Sequence, residues 1–308
     1  MSAVPKVPVI LDGGLATLLE ARGHTLDSIL WSAELLRSNP AALCDAHLEY
    51  LVAGAEIIST ASYQASRAGF HQLGVAAVQA DRLIASSVQI ARDACDRHAK
   101  EHPALPPRKV AASIGPYGAV LHDGSEYTGD YGVPAAILKM FHKPRLKLLD
   151  SAGADMLAVE TIPSIDEAEV LAELLADCQT PAWVSFSCRD GQHISDGTEI
   201  EKAAAIFHAL PVVFALGVNC TAPQHVESLV AKLATAVPEK QIVAYPNSGE
   251  SYSADDNRWG GGGALSDFTT AAARWVSAGA THVGGCCRVG PAEIRALHRT
   301  LVQTTHEF

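Results

Sequence analysis

The sequence predicts an eight-unit barrel of alternating strands and helices, and three observations lead to it. An Ala-Gly-Ala junction at the end of a helical pattern, followed by an apolar run, recurs at 53–55, 152–154 and 278–280. Glycine at that place accepts the left-handed backbone that ends a helix, and a short loop then feeds a strand. Eight short apolar runs alternate with helical patterns across the 308 residues, which is the size of a (β/α)8 TIM barrel. Third, each of the eight runs ends in polar or glycine-rich residues, as the strands of a barrel do where they face one shared site. A doubly wound sheet is the second choice. No interdomain linker is visible, so residues 1–308 read as a single domain.

In chain order, the first strand covers 7–11 and stops at Asp12-Gly13-Gly14. Helical pattern follows over 15–22 and 33–52, then a second strand over 56–60. Further strands read at 109–113, 155–160, 182–186, 212–218, 241–245 and 281–284. They are continuous apolar runs, as expected for strands covered on both faces. The helices between them read at 76–100, 134–151, 165–177, 200–209, 223–236, 267–277 and 292–301, the last with Pro291 at a first helical position. The four glycines at 260–263 read as a loop after the seventh strand.

Composition narrows the function classes. No apolar run approaches the ~18 residues of a membrane span. Residues 1–6 lack the charged-then-apolar pattern of a signal peptide. Seven cysteines, an odd number without small-scaffold spacing, favour a reducing compartment, the cytoplasm. A net charge of −11 speaks against nucleic-acid binding.

The chemistry concentrates at Gly284-Gly285-Cys286-Cys287-Arg288. Adjacent residues of a regular strand point to opposite faces, so both sulfurs meet one object only where the strand ends and turns. The two glycines permit that turn and a close backbone approach. Adjacent cysteines also fall short of the Cα separation of an ordinary disulfide. A third thiol, Cys220 in Gly217-Val218-Asn219-Cys220, likewise ends an apolar run. Three thiolates suit a soft metal, zinc first, and leave one tetrahedral position open, as at a catalytic zinc. The bland alternative is three core thiols.

Cys188 sits near a strand end and is the alternative thiol ligand. Cys44, Cys95 and Cys178 fall on helical pattern as buried hydrophobes. His193 and His282 are left out of the metal set. Candidate substrate contacts are Asp12, Gly13, Gly14, Thr60, Gln64, Glu160 and Asn219, all at strand ends. Asp12 has a second reading as a helix cap. Glu160 follows an apolar run and needs a partner, either a core arginine or a substrate amine. Asn219 has a second reading as a loop bond. Tyr63, Tyr117 and Tyr245 either pack or line a cage for a cation.

These motifs resemble the homocysteine S-methyltransferases, and most closely the S-methylmethionine-dependent branch, from about Ile10 to the last helix. The resemblance rests on Leu11-Asp12-Gly13-Gly14, Thr60-Ala61-Ser62-Tyr63-Gln64-Ala65, Ser113-Ile114-Gly115-Pro116-Tyr117-Gly118-Ala119 and the segment from Asp123-Gly124-Ser125-Glu126-Tyr127 to Tyr131. It extends through Glu160-Thr161, Asp196-Gly197-Thr198, the two cysteine motifs and Tyr245-Pro246-Asn247-Ser248-Gly249-Glu250. The resemblance implies a TIM barrel with Zn2+ held by Cys220, Cys286 and Cys287. It implies that Glu160 and Asn219 hold the amino-acid end of homocysteine, with Asp12 and its glycines nearby. The implied reaction moves a methyl group from a sulfonium donor, S-methylmethionine or also S-adenosylmethionine, to the homocysteine thiolate, giving methionine. The alternatives are betaine as donor, selenocysteine as acceptor, or a structural zinc closed by Cys188 in a binding protein without activity. The partners expected are small molecules, not nucleic acid or membrane.

Overall fold

The computed structural model describes residues 7–26, 28–121, 123–249 and 268–303, together with the backbone of 251–253 and 258–260. Its centre is an all-parallel eight-stranded sheet. The strands are β1 (Val9–Ile10), β2 (Ile57–Ser59), β3 (Lys109–Ile114), β4 (Met156–Ile162), β5 (Ala182–Phe186), β6 (Val213–Asn219) and β7 (Gln241–Tyr245). A hairpin, β8 (Ser251–Ser253) with β9 (Arg258–Gly260), precedes the last barrel strand, β10 (His282–Val283). Sheet order is β1-β10-β7-β6-β5-β4-β3-β2. A parallel bridge from Leu11 to Ile57 joins the two ends, with Asp12 N–H donating to Ile57 O at 3.1 Å, so the sheet closes on itself as a barrel. Helices separate the successive barrel strands, as the alternating sequence pattern predicts.

Gly54, Gly153 and Gly279, the glycines of the three repeated junctions, have φ of 112°, 85° and 125°. Each therefore takes the left-handed conformation that ends a helix without a Cβ penalty. Two expectations need correction. The helix expected over 33–52 breaks at Asn39-Pro40. Asn39 caps a new helix, Pro40–Ala53, by accepting from Ala42 N–H at 3.2 Å, with proline at its first turn. A short helix, Arg67–Gln72, was not anticipated, and Ser66 caps it through Gly69 N–H. Of the glycine run read as a loop, Gly260 ends β9, and 261–263 lie outside the described residues.

Two apolar cores hold the barrel together. The larger lies between strands and helices and includes Val110, Ala112, Leu157, Val159, Val184, Leu216 and Val218. The smaller fills the barrel with Leu11, Ile57, Ala111, Met156, Ala158, Trp183, Ala215, Val243 and Tyr245. Side chains on a strand alternate faces, so residues two further along each strand also point inward. From Ile57, Ala111, Ala158, Trp183 and Val243 that step leads to Ser59, Ser113, Glu160, Ser185 and Tyr245. One periodicity thus sets a polar layer on top of an apolar one.

Glycine is required where β6 pairs with β7. A Cβ on Gly217 would stand 1.9 Å from the carbonyl oxygen of Val243, a backbone atom that cannot step aside. Gly217→Ala is expected to cost about 3 kcal/mol, the upper end of overpacking penalties. Urea unfolding measures it; a loss well under about 1 kcal/mol would show that the two strands are not held this closely.

Candidate active site

Cys220 follows directly on β6 and takes a left-handed φ of 46°, which turns it out of the strand direction. Cys286 and Cys287 lie just past β10, where the chain turns as Gly284-Gly285 suggested. Gly285 N–H donates to Asp12 O at 3.0 Å, and Cys286 N–H to Pro246 O at 2.8 Å. A Cβ on Gly285 would collide with Val289 at 2.1 Å, and one on Gly14 with Cys286 O at 2.7 Å. The glycines around the cysteines therefore serve close packing of three loops. The result is that the sulfurs of Cys220, Cys286 and Cys287, separated by up to 67 positions, all lie within 4.8 Å of one another. Cys220 Sγ stands 2.7 Å from Cys286 Sγ and 3.7 Å from Cys287 Sγ. Hydrogen bonds from Cys220 and Cys287 hold the Cys286 thiol well below its ordinary pKa, while the same contact pushes Cys220 up. Three soft donors around one point, one of them readily ionised, form a set able to hold a metal ion.

Cys188 is not part of this set. It is buried in the larger core, where burial pushes its thiol up, and its N–H donates to Thr221. His193 bonds Asp190 at 2.9 Å, and His282 packs on Phe214. Neither histidine belongs to the sulfur group, in line with the sequence reading.

The sulfurs open onto a cavity of about 320 Å³ that Asp12, Gly13, Gly14, Thr60, Gln64, Glu160 and Asn219 also line. All seven candidate contacts thus meet in one place. Asp12 is no helix cap. The following helix starts at Gly14 without a side-chain cap, and Asp12 Oδ2 instead accepts from Ser59 N–H at 2.7 Å. Burial pushes its carboxyl well above the usual range, against the Ser59 backbone bond, and the nearby Glu160 raises it further. Glu160 has no arginine partner. It accepts from Ser113 Oγ and, at 2.9 Å, from the Tyr245 hydroxyl. Its pKa rises to about 7, chiefly through burial and also through the charge of Cys286, against the Ser113 and Tyr245 bonds.

Asn219 accepts from Thr161 N–H at 2.7 Å and from Ser185 Oγ at 2.8 Å, and its amide donates to Thr161 Oγ1. It ties β6 to the β4 bulge, where Thr161 sits at φ 64°. Thr60 bonds Ser62 and accepts from Ser113 N–H, and Gln64 Nε2 donates to Ala119 O at 2.6 Å. Of the tyrosines, Tyr63 lines the cavity, Tyr117 packs edge-on against Tyr131 and Phe141, and Tyr245 belongs to the Glu160 network. Sequence reasoning left Trp31, Glu126 and Tyr127 unassigned, although all three line the cavity. Glu126 and Tyr127 were visible within the Asp-Gly-Ser-Glu-Tyr motif; Trp31 carried no comparable signal.

Because Glu160 ionises near pH 7 when folded and near 4.5 otherwise, the metal-free folded chain holds this proton more tightly than the unfolded chain. Unfolding then releases a proton, and stability falls as pH rises from about 4.5 to 7. Glu160→Gln is expected to make that fall shallower by about 3 kcal/mol over the window, seen as a change in pH slope. An identical slope in the variant would contradict the buried, proton-retaining carboxyl.

Among the described residues, no helix is long and apolar enough to cross a membrane. The profile for homocysteine S-methyltransferase matches residues 9–301. Homocysteine S-methyltransferase 3 of Zea mays is 44% identical over 310 residues, covering 97% of this chain and 91% of that protein. Selenocysteine Se-methyltransferase of Brassica oleracea var. italica is 43% identical, covering 97% of this chain and 90% of its own. Among solved structures, the metallated form of the homocysteine methyltransferase MmuM from Escherichia coli superimposes with a TM-score of 0.85 at 42% identity. It covers 95% of this chain and 96% of its own. With the barrel, the sulfur cluster and these likenesses together, the chain belongs to the homocysteine S-methyltransferase family.

Proposed function

We propose that this protein is a zinc-dependent enzyme that transfers a methyl group from S-methylmethionine to homocysteine and yields methionine. The observation that carries the proposal is the meeting of three thiol sulfurs with two buried carboxylates in one cavity. Cys220, Cys286 and Cys287 would hold the ion. Bound zinc supplies Lewis acidity that keeps an acceptor thiol ionised at neutral pH, where a free thiol of pKa about 8.5 is mostly protonated. Asp12 and Glu160, both costly to ionise alone, take the acceptor's ammonium group, whose charge offsets theirs. Asn219 holds Thr161 and the β4 bulge, and so orients Glu160.

The acceptor thiol gives its proton to solvent, and its sulfur forms a bond to the methyl carbon. The donor's carbon–sulfur bond breaks, and the sulfonium sulfur keeps the electron pair as a neutral thioether. With S-methylmethionine both products are methionine. A neutral leaving group needs no acid. Holding both substrates in line supplies the proximity effect, up to roughly 7–11 kcal/mol in favourable cases.

Selenocysteine as acceptor is the second reading, favoured by the name of the Brassica relative. A purely structural zinc closed by Cys188 is disfavoured by that thiol's place in the larger core. We read the chain as one functional unit acting on small molecules in the cytoplasm; seven free cysteines fit a reducing compartment. Metal content and methionine formation from homocysteine, with S-methylmethionine, S-adenosylmethionine and betaine each as donor, test the proposal. Zinc-loaded protein that forms no methionine with S-methylmethionine would overturn it.

A further inference from the structure

Glu126 is a half-buried carboxylate that the mechanism above leaves unused. Its Oε2 is buried, lines the same cavity as the sulfurs and has no hydrogen-bond partner. Among the described residues, the buried carboxylates are satisfied: Asp12 by Ser59, Glu160 by Ser113 and Tyr245, and Glu167 by Tyr117 N–H, His142 and Tyr131. The Glu126 turn is not loose. Ser187 Oγ donates to Glu126 O at 3.2 Å, Asp123 caps Ser125 N–H at 3.0 Å, and Gly129 N–H donates to Ser125 O at 2.7 Å. A Cβ on Gly118 would stand 2.5 Å from Glu126 N, so the turn is also packed from below. A rigidly held, desolvated and unpaired oxygen is costly unless a ligand completes it.

In the proposed reaction the acceptor's ammonium already has its partners in Asp12 and Glu160. Glu126 lines the cavity together with the aromatic residues Tyr63, Tyr127 and Trp31. A carboxylate oxygen without a hydrogen-bond partner, in a cavity that aromatic side chains also line, suits a cation that carries no N–H groups. We infer that Glu126, backed by Tyr63 and Tyr127, is the specificity residue that recognises the positive sulfur of the methyl donor and separates a sulfonium from neutral analogues. This rests on the proposed methyl transfer, and it adds the residue that reads the donor's charge.

The test measures direct binding to zinc-loaded protein without turnover. The probes are S-methylmethionine and homoleucine, its neutral isostere with carbon in place of the sulfonium sulfur. Both carry the same ammonium and carboxylate. Glu126→Gln is expected to weaken S-methylmethionine by about tenfold or more and to leave homoleucine within about twofold. The homocysteine Kd and the zinc content should stay at wild-type values, and Glu126→Asp should restore part of the discrimination. Equal weakening of both probes would assign Glu126 to the ammonium group and overturn the inference. So would unchanged binding of both, or a rise confined to the homocysteine Kd. Failure of the wild type to turn over S-methylmethionine would instead count against the proposed function, since the binding comparison needs no catalysis.

Discussion

Cys220→Ala, Cys286→Ala and Cys287→Ala are each expected to abolish zinc retention and methyl transfer while the barrel stays folded. In the proposed site the three thiolates would be the whole protein share of the coordination, so loss of one would leave two ligands and an ion held weakly. Transfer should fall by about 1000-fold or more, because the acceptor thiol then loses the several kcal/mol that a Lewis acid contributes. The fold should survive because all three sulfurs stand at strand ends, past β6 and β10. The proper reference is the metal-free wild type, whose melting temperature each variant should approach. Metal analysis and methionine formation on the same preparation check the result. Full zinc occupancy with normal activity in any one variant would remove that cysteine from the site.

Glu160→Ala is the second large effect. The homocysteine KM is expected to rise by about 30-fold or more, the cost of removing one partner from a buried, hydrogen-bonded charge pair, about 2 kcal/mol at the least. In the proposed reaction the ammonium would be held alike before and during methyl transfer, so kcat should change far less than KM. Alanine also strips the acceptor from Ser113 and Tyr245, so Glu160→Gln is the cleaner companion: it keeps the volume and one acceptor oxygen while losing the charge. A KM raised in both variants identifies the charge as the cause. An unchanged KM in both would take Glu160 out of the acceptor site.

The cysteine motif and the Glu160 strand were legible because local rules govern them. A strand that ends in Gly-Gly must turn, and adjacent thiols there can face one point. Four consecutive apolar residues, Met156 to Val159, open the strand Met156–Ile162, whose seven positions are all buried, as in a strand covered on both faces. The partners of the site residues were not legible. Tyr245 reaches Glu160 across 85 positions, and Asp12 finds Ser59 across 47. Nothing in the neighbourhood of Asp12 distinguishes a helix cap from a bond to the next strand, and the barrel closure between Leu11 and Ile57 decided it. The break at Asn39-Pro40 was readable in principle, since proline excludes the helical conformation from the residue before it. The Arg67–Gln72 helix is too short to impose a period on the sequence.

By itself the sequence determined the alternation of strands and helices, the glycine junctions and the three sulfurs at strand ends, since each follows from spacing and backbone freedom over a few residues. Tertiary structure alone decided which carboxylates of the cavity are satisfied and which are not. Asp12 and Glu160 find bonding partners, and Glu126 Oε2 finds none. Those outcomes depend on which loops the closed barrel brings together, and desolvation is a property of that assembled cavity rather than of any stretch of chain.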